Sequence, residues 1–256
     1  MSEKSGSFFR LPPEEEQKGI LLWFQHIYNH FNKMFLMNLI TVLCMLPALF
    51  ALTYLIATRD LVFWAAACVL LILAGPTLTA MNGMAVRIVH RRPVWLKEDL
   101  KRSWKQDWLP SMLLTAVLVA LWSALIYAVY LVILSKDWSL GHLLLFLVCA
   151  FLLTGFTLFS YQQLAMLELS FGKLLKNSFL LIFAGGLRSV FAIVPTMVLW
   201  LGCALLPEWS MLILLVGLPM LSVYTANLIY RPVFQKLFLT ETDDNGTTEE
   251  DQNEAV

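Results

Sequence analysis

The pair of residues whose spacing best suits a metal is His26 and His30, since positions i and i+4 share one face of a helix. No carboxylate or cysteine lies in register to complete a ligand set, so packing is the preferred reading and no metal site is expected. Cys44, Cys68, Cys149 and Cys203 each stand alone inside an apolar run, where small apolar filler is expected rather than disulfides or metal clusters. His90 and His142 have no Ser, Cys or Asp partner in sequence, and no glycine-rich phosphate loop or zinc signature occurs. No enzyme, catalytic residue, cofactor or nucleic-acid partner is expected. Two groups of residues remain. One is a set of polar side chains in otherwise apolar stretches: Asn82, Tyr161, Gln162, Gln163 and Asn227, with Asn38. The other is a basic, Trp-bearing segment: Arg87, Arg91, Arg92, Lys97, Lys101, Arg102, Trp104, Lys105 and Trp108.

The elements that carry these groups follow from composition. Of 256 residues, 59% are hydrophobic, and the mean hydropathy of +0.72 is far from that of a soluble domain. Six uncharged apolar runs occupy about 34–58, 61–86, 109–134, 140–167, 189–206 and 210–230. Each is about 18 residues or more, the length that roughly 30 Å of hydrocarbon demands of a helix. Backbone groups in lipid have no water to bind, so helices are the expected form. The predicted fold is all-α: a polytopic bundle of six transmembrane helices over 34–239, with amphipathic cytoplasmic surface helices.

Charge sets the orientation. Along the seven segments that the spans separate, Lys and Arg number four, one, seven, one, three, none and two. Positive charge stays on the cytoplasmic side, so both termini are expected inside. His90 and His142 then fall on opposite sides. Trp64, Trp138, Trp200 and Trp209 sit where an outer aromatic belt is expected. Residues 1–11 read as disordered, and 12–33 as an amphipathic interfacial helix with Ile20, Phe24, Ile27, Phe31 and Phe35 at three- and four-residue spacing. The tail 240–256 is polar and acidic, hence disordered. Glu168 and Arg188 lie at span ends, where snorkelling accounts for them.

Gly75-Pro76 falls midway along the second span, where proline removes a backbone hydrogen bond and a kink is expected. Such a kink serves packing, or opens a site with free backbone groups. Beyond Arg87, residues 95–108 read as a surface helix with Leu96, Leu100, Trp104 and Trp108 on one side and Lys97, Lys101, Arg102 and Lys105 on the others. It is expected to lie on the anionic inner leaflet, at about 1 kcal/mol per cation; the alternative is a docking surface for a cytoplasmic partner or an anionic ligand. The stretch Leu100-Lys101-Arg102-Ser103-Trp104 echoes Leu175-Lys176-Asn177-Ser178-Phe179, and Gly75 with Thr77-Leu78 echoes Gly155 with Thr157-Leu158. A parallel repeat of the two hairpins follows as a hypothesis, each with its own surface helix.

Asn38-Leu39, Leu46-Pro47, Gly75-Pro76 with Thr79-Ala80, Arg87, and Trp95-Leu96-Lys97-Glu98-Asp99 running into Trp104-Lys105-Gln106 resemble the YesL-like family of bacterial membrane proteins, domain of unknown function 624. The resemblance covers about residues 20–130; Leu100 stands where the family commonly has an aromatic residue. It implies a setting beside sugar-uptake transporters and polysaccharide-degrading enzymes, without catalytic residues to carry over. The expected role is therefore an accessory or regulatory component of carbohydrate uptake, meeting anionic lipid and a component of a carbohydrate ABC transporter. The alternative is a small-solute transporter acting by itself. In that reading Asn82, Tyr161, Gln162, Gln163 and Asn227 line a polar cavity instead of simply bonding helix to helix.

Overall fold

The computed structural model describes residues 20–136, 139–167, 169–205, 214–215 and 217–238. Among them the chain is all-helical: α1 (Ile20–Thr58), α2 (Leu61–Leu73), α3 (Gly75–Val89), α4 (Leu96–Lys105), α5 (Trp108–Ser135), α6 (Leu140–Met166), α7 (Phe171–Ala184), α8 (Leu187–Leu205) and α9 (Leu218–Phe238). The predicted disordered ends 1–11 and 240–256, residues 12–19 of the interfacial helix, Trp138, Glu168, Trp209 and the start of the sixth apolar run lie outside the described residues.

Three helices, within α1, α5 and α6, are long and apolar enough to cross a membrane, and the pairs α2 with α3 and α7 with α8 pass the same test together, which gives three to five crossings. Exposure agrees with a lipid surround. Only 6% of the most apolar window of α5 is buried inside the protein, and its outward side chains include Ile126, Leu131 and Ile133. A helix apolar on all sides yet largely uncovered by protein is the pattern expected of a membrane span.

The centre is α3, twelve of whose fifteen residues are buried. It packs against α1, α4, α5, α6 and α9. Small Ala80 and Ala85 let neighbouring helices approach, and Met81 and Met84 join Met34, Met37 and Met220 in filling the irregular gaps between them. The axis bends by 43° between α2 and α3. Pro76 opens the first turn of α3, where its missing N–H is least needed. The break is closed locally: the Ala74 carbonyl accepts the Thr77 hydroxyl at 2.6 Å as well as the backbone N–H of Thr77 and Leu78. Gly75 is needed by its neighbour, for a Cβ there would meet Thr115 Oγ1 and come within 2.9 Å of the Ser111 carbonyl oxygen on α5.

The helix read over 12–33 continues, over its described part, directly into the first span: α1 runs unbroken from Ile20 to Thr58. No glycine or proline occurs from Ile20 to Leu46, so nothing interrupts the helical ladder there. At about 58 Å for its 39 residues, α1 is nearly twice the hydrocarbon thickness. Its N-terminal third docks on α9 through Trp23 Nε1 to Thr225 Oγ1 (2.9 Å) and His26 Nδ1 with the Tyr224 hydroxyl (3.0 Å). Phe24, Tyr28, Phe31 and Phe35 form an exposed stripe on the far side.

One expectation is corrected: the surface helix read over 95–108 is α4, which ends at Lys105, and Trp108 is the first residue of α5. The stripe Leu96, Leu100, Trp104, Trp108 is split. Leu96 and Leu100 pack on the core together with buried Asp99 and Ser103, whereas Trp104 and Trp108 are each 48% exposed. Positions 96, 99, 100 and 103 make a better inward stripe because Asp99 is pulled in by Arg87.

The sequence echo between α4 and α7 has a structural counterpart. Residues 96, 99, 100 and 103 face inward on α4, and 171, 174, 175 and 178, each seventy-five positions on, face inward on α7. Gly155 matches Gly75 in role, since a Cβ there would meet Ile193 on α8. The halves diverge beyond this: α7 meets α8 at 106°.

Candidate functional site

The basic end of α3 is built by a chain reversal. His90 caps the helix, with its N–H and its ring Nδ1 both on the Val86 carbonyl at 2.9 Å. Arg91 adopts a left-handed conformation, φ 55°, and the N–H of Arg92 returns to the Arg87 carbonyl at 2.9 Å. That is the hydrogen-bond pattern of a Schellman cap, with arginine in the place that glycine usually takes. Pro93 follows, and α4 starts three residues later. Lys33 on α1 fastens this connection by donating to the Val94 carbonyl at 3.1 Å.

An ion pair then orients α4. Arg87 Nη1 lies 2.8 Å from Asp99 Oδ1, with Asp99 only 5% exposed and Arg87 30% exposed. Burial raises the Asp99 pKa above its ordinary value, an effect that the Arg87 charge offsets only in part. Asp99 Oδ2 is buried without a partner. Arg102 makes a longer contact with Asp107, 3.5 Å from Nε to Oδ2, across the turn into α5. The outward surface of α4 therefore presents Lys97, Lys101, Trp104 and Lys105, with Trp95 and Arg92 exposed beside it. Cations interleaved with indole rings suit a headgroup layer or an acidic protein surface.

The polar side chains of the apolar helices do not converge as one cluster. Successive residues of a helix point about 100° apart, and Tyr161, Gln162 and Gln163 are accordingly divided. The Tyr161 hydroxyl bonds Thr115 Oγ1 on α5 at 2.7 Å, while Gln163 Nε2 donates to Ser178 Oγ on α7 at 2.9 Å. Gln162 is buried with its Nε2 unpartnered. Asn82 and Asn227 each donate Nδ2 to the carbonyl four residues back, Leu78 and Val223, and each leaves Oδ1 buried without a partner. Asn38 uses both ends of its amide: it donates to the Leu214 carbonyl at 2.8 Å and accepts the Met220 N–H at 3.2 Å, tying the entry of α9 to α1.

A hydroxyl seam was not evident in the sequence. Thr79 Oγ1 donates to Ser111 Oγ at 2.9 Å, Thr115 Oγ1 bonds the Ser111 carbonyl at 2.6 Å, and Thr115 meets Tyr161. The seam links α3, α5 and α6 beside Gly75. Its signal is present in retrospect: Gly75 with Thr79, and Ser111 with Thr115, are i, i+4 pairs of small residues on single helix faces.

Of the histidine pair, His26 is 1% exposed and engaged with Tyr224, and the two rings meet edge to face at 6.5 Å. Among the described residues no group of three or more His, Cys, Asp or Glu is gathered. Comparison with family models, curated proteins and solved structures returns no match to this chain.

Proposed function

We propose that this is a six-span bacterial plasma-membrane protein with both termini in the cytoplasm, in which α4 is a fixed docking surface and the role is that of a non-catalytic accessory component of carbohydrate uptake. The six crossings are α1, the bent pair α2 and α3, α5, α6, α8 and α9. The 106° turn between α7 and α8 supports counting α8 alone as a crossing and α7 as a surface helix like α4. The alternation of Lys and Arg along the chain supports the orientation. The resemblance to the YesL-like family supports the carbohydrate setting.

The observation that carries the docking reading is the locking of α4. The Arg87–Asp99 pair and the Lys33 bond to Val94 hold a short helix in one rotation, so Lys97, Lys101, Trp104 and Lys105 stay outward. A helix serving only to link two spans needs no such fixing. Affinity capture from native membranes, after mild crosslinking, should recover a component of a sugar transporter with the wild-type chain and lose it with a Lys97→Glu, Lys101→Glu, Lys105→Glu triple variant. Sugar uptake should fall in a deletion strain. Recovery of no transporter component together with unchanged uptake would overturn the reading.

A second reading, transport of a small polar solute, rests on Asn82 Oδ1, Gln162 Nε2 and Asn227 Oδ1. They are buried and unpartnered on α3, α6 and α9, which pack on one another. Uptake into liposomes containing the purified protein, abolished by Gln162→Ala or Asn82→Ala, would favour it.

A further inference from the structure

The N-terminal third of α1 presents a regular apolar face. Trp23 and His26 hold its other side on α9 through Thr225 and Tyr224, which fixes the rotation of the helix. On the outward side Leu21, Phe24, Phe31 and Phe35 are between 41% and 58% exposed, and Tyr28 is 82% exposed. Their spacing is three, four, three and four residues, that of the a and d positions of successive heptads, with Leu21, Tyr28 and Phe35 at a and Phe24 and Phe31 at d. A surface groove of about 440 Å³ opens on this face, lined by Phe24, Ile27, Tyr28, Asn29, Phe31 and Asn32.

Four of the groove residues, Phe24, Ile27, Tyr28 and Phe31, stand at successive d, g, a and d positions. Four such residues form the hole that receives an a-position knob from a parallel helix. Tyr28 is itself such a knob and the most exposed residue of the stripe. A second copy supplies it: the Tyr28 of each copy enters the groove of the other, the reciprocal contact of a two-fold interface. Copies inserted in one membrane share one orientation, so their α1 helices run parallel as this packing requires. Charge does not oppose the pairing, for no Lys, Arg, Asp or Glu occurs from Ile20 to Asn32. The same composition tells against a headgroup anchor, whose polar face is rich in Lys and Arg. Asn29 and Asn32 rim an apolar centre, which is the anatomy of a protein interface. Covering the exposed part of the five stripe side chains would remove roughly 550 Å² per copy, at about 200 Å² for each large side chain, and about 1,100 Å² for the pair, the size at which specific interfaces begin.

We propose that the face of α1 over residues 21–35 is the interface of a parallel two-fold dimer, with Tyr28 at its centre. The dimer stands apart from the carbohydrate reading and does not depend on which side of the membrane the N-terminus lies.

The test combines the mass of the full-length protein, by sedimentation equilibrium in a density-matched neutral detergent, with disulfide formation between copies in liposomes. The wild type should sediment as a dimer. Tyr28→Ala should raise the dissociation constant at least about tenfold, as for an aromatic side chain at the centre of an interface, while circular dichroism shows the chain still helical. Tyr54→Ala, exposed on α1 but off the stripe, should leave the constant within twofold of wild type. With Cys44, Cys68, Cys149 and Cys203 replaced by alanine, Tyr28→Cys should crosslink rapidly on oxidation, since the a positions of a parallel pair lie opposite each other, and Tyr54→Cys should not. Crosslinking decides the matter if Tyr28→Ala does not fold. A monomer in detergent that also fails to crosslink through position 28 in liposomes overturns the proposal, whether the stripe is then found against lipid or against residues 1–19. So does a dimer whose dissociation constant moves less than twofold in Tyr28→Ala, or one that crosslinks equally through positions 28 and 54.

Discussion

Removing Arg87 and removing the charge of Asp99 should have unequal effects on stability, although each breaks the same ion pair. Asp99 is 5% exposed, and its Oδ2 has no partner even in the intact pair. Arg87→Gln would leave a buried carboxylate with neither oxygen neutralised. Truncating one partner of a buried pair costs about 3–5 kcal/mol. Arg87 is 30% exposed, so water can enter the gap, and we expect about 2–3 kcal/mol. Asp99→Asn keeps the shape and removes the charge that burial penalises. Since burial outweighs the Arg87 attraction in setting the Asp99 pKa, this variant should cost about 1 kcal/mol or less. The gap of roughly 2 kcal/mol is about thirtyfold in the unfolding equilibrium. Denaturation in mixed micelles, followed by tryptophan fluorescence, would measure it. A raised carboxyl pKa means that the folded chain holds a proton over a range where the unfolded chain does not. Its stabilisation is complete below the ordinary value of 3.8 and is lost as pH rises through the folded value. Wild type should therefore show this added slope on acidification and Asp99→Asn should lack it. An Asp99→Asn variant as damaged as Arg87→Gln would refute the reasoning.

Other substitutions test the close helix approaches. Gly75→Ala should destabilise by about 1–3 kcal/mol, because the Ser111 backbone oxygen at 2.9 Å from the new Cβ cannot move away independently; thermal unfolding in detergent would report it. Gly155→Ala should cost less, about 1 kcal/mol, since it meets the flexible end of Ile193. Gly172→Ala on α7 has nothing within 4 Å of its Cβ and should stabilise by about 0.5–1 kcal/mol, a positive control in the same assay. Tyr161→Phe removes the bond to Thr115 and should cost about 0.6 kcal/mol, at most about 1.7, as for other hydrogen bonds between membrane helices.

What the sequence determined by itself is what depends on neighbours along the chain or on the solvent. A run of apolar residues long enough to cross hydrocarbon is legible because lipid leaves the backbone no choice but helix; α5 and α6, Trp108–Ser135 and Leu140–Met166, fall within about a residue of the runs read as spans. The bend at Gly75-Pro76 is legible because proline acts on its own turn. The concentration of bases after Arg87 needs no structure to be seen. The tertiary structure decided what depends on rotation about a helix axis and on contacts between distant segments. A four-residue spacing placed Leu96, Leu100, Trp104 and Trp108 on one side, but the carboxylate of Asp99, drawn to Arg87 twelve residues earlier, turned α4 so that Trp104 faces out. Three adjacent polar residues, Tyr161 to Gln163, looked like one cluster and were sent to different neighbours by 100° of helical twist.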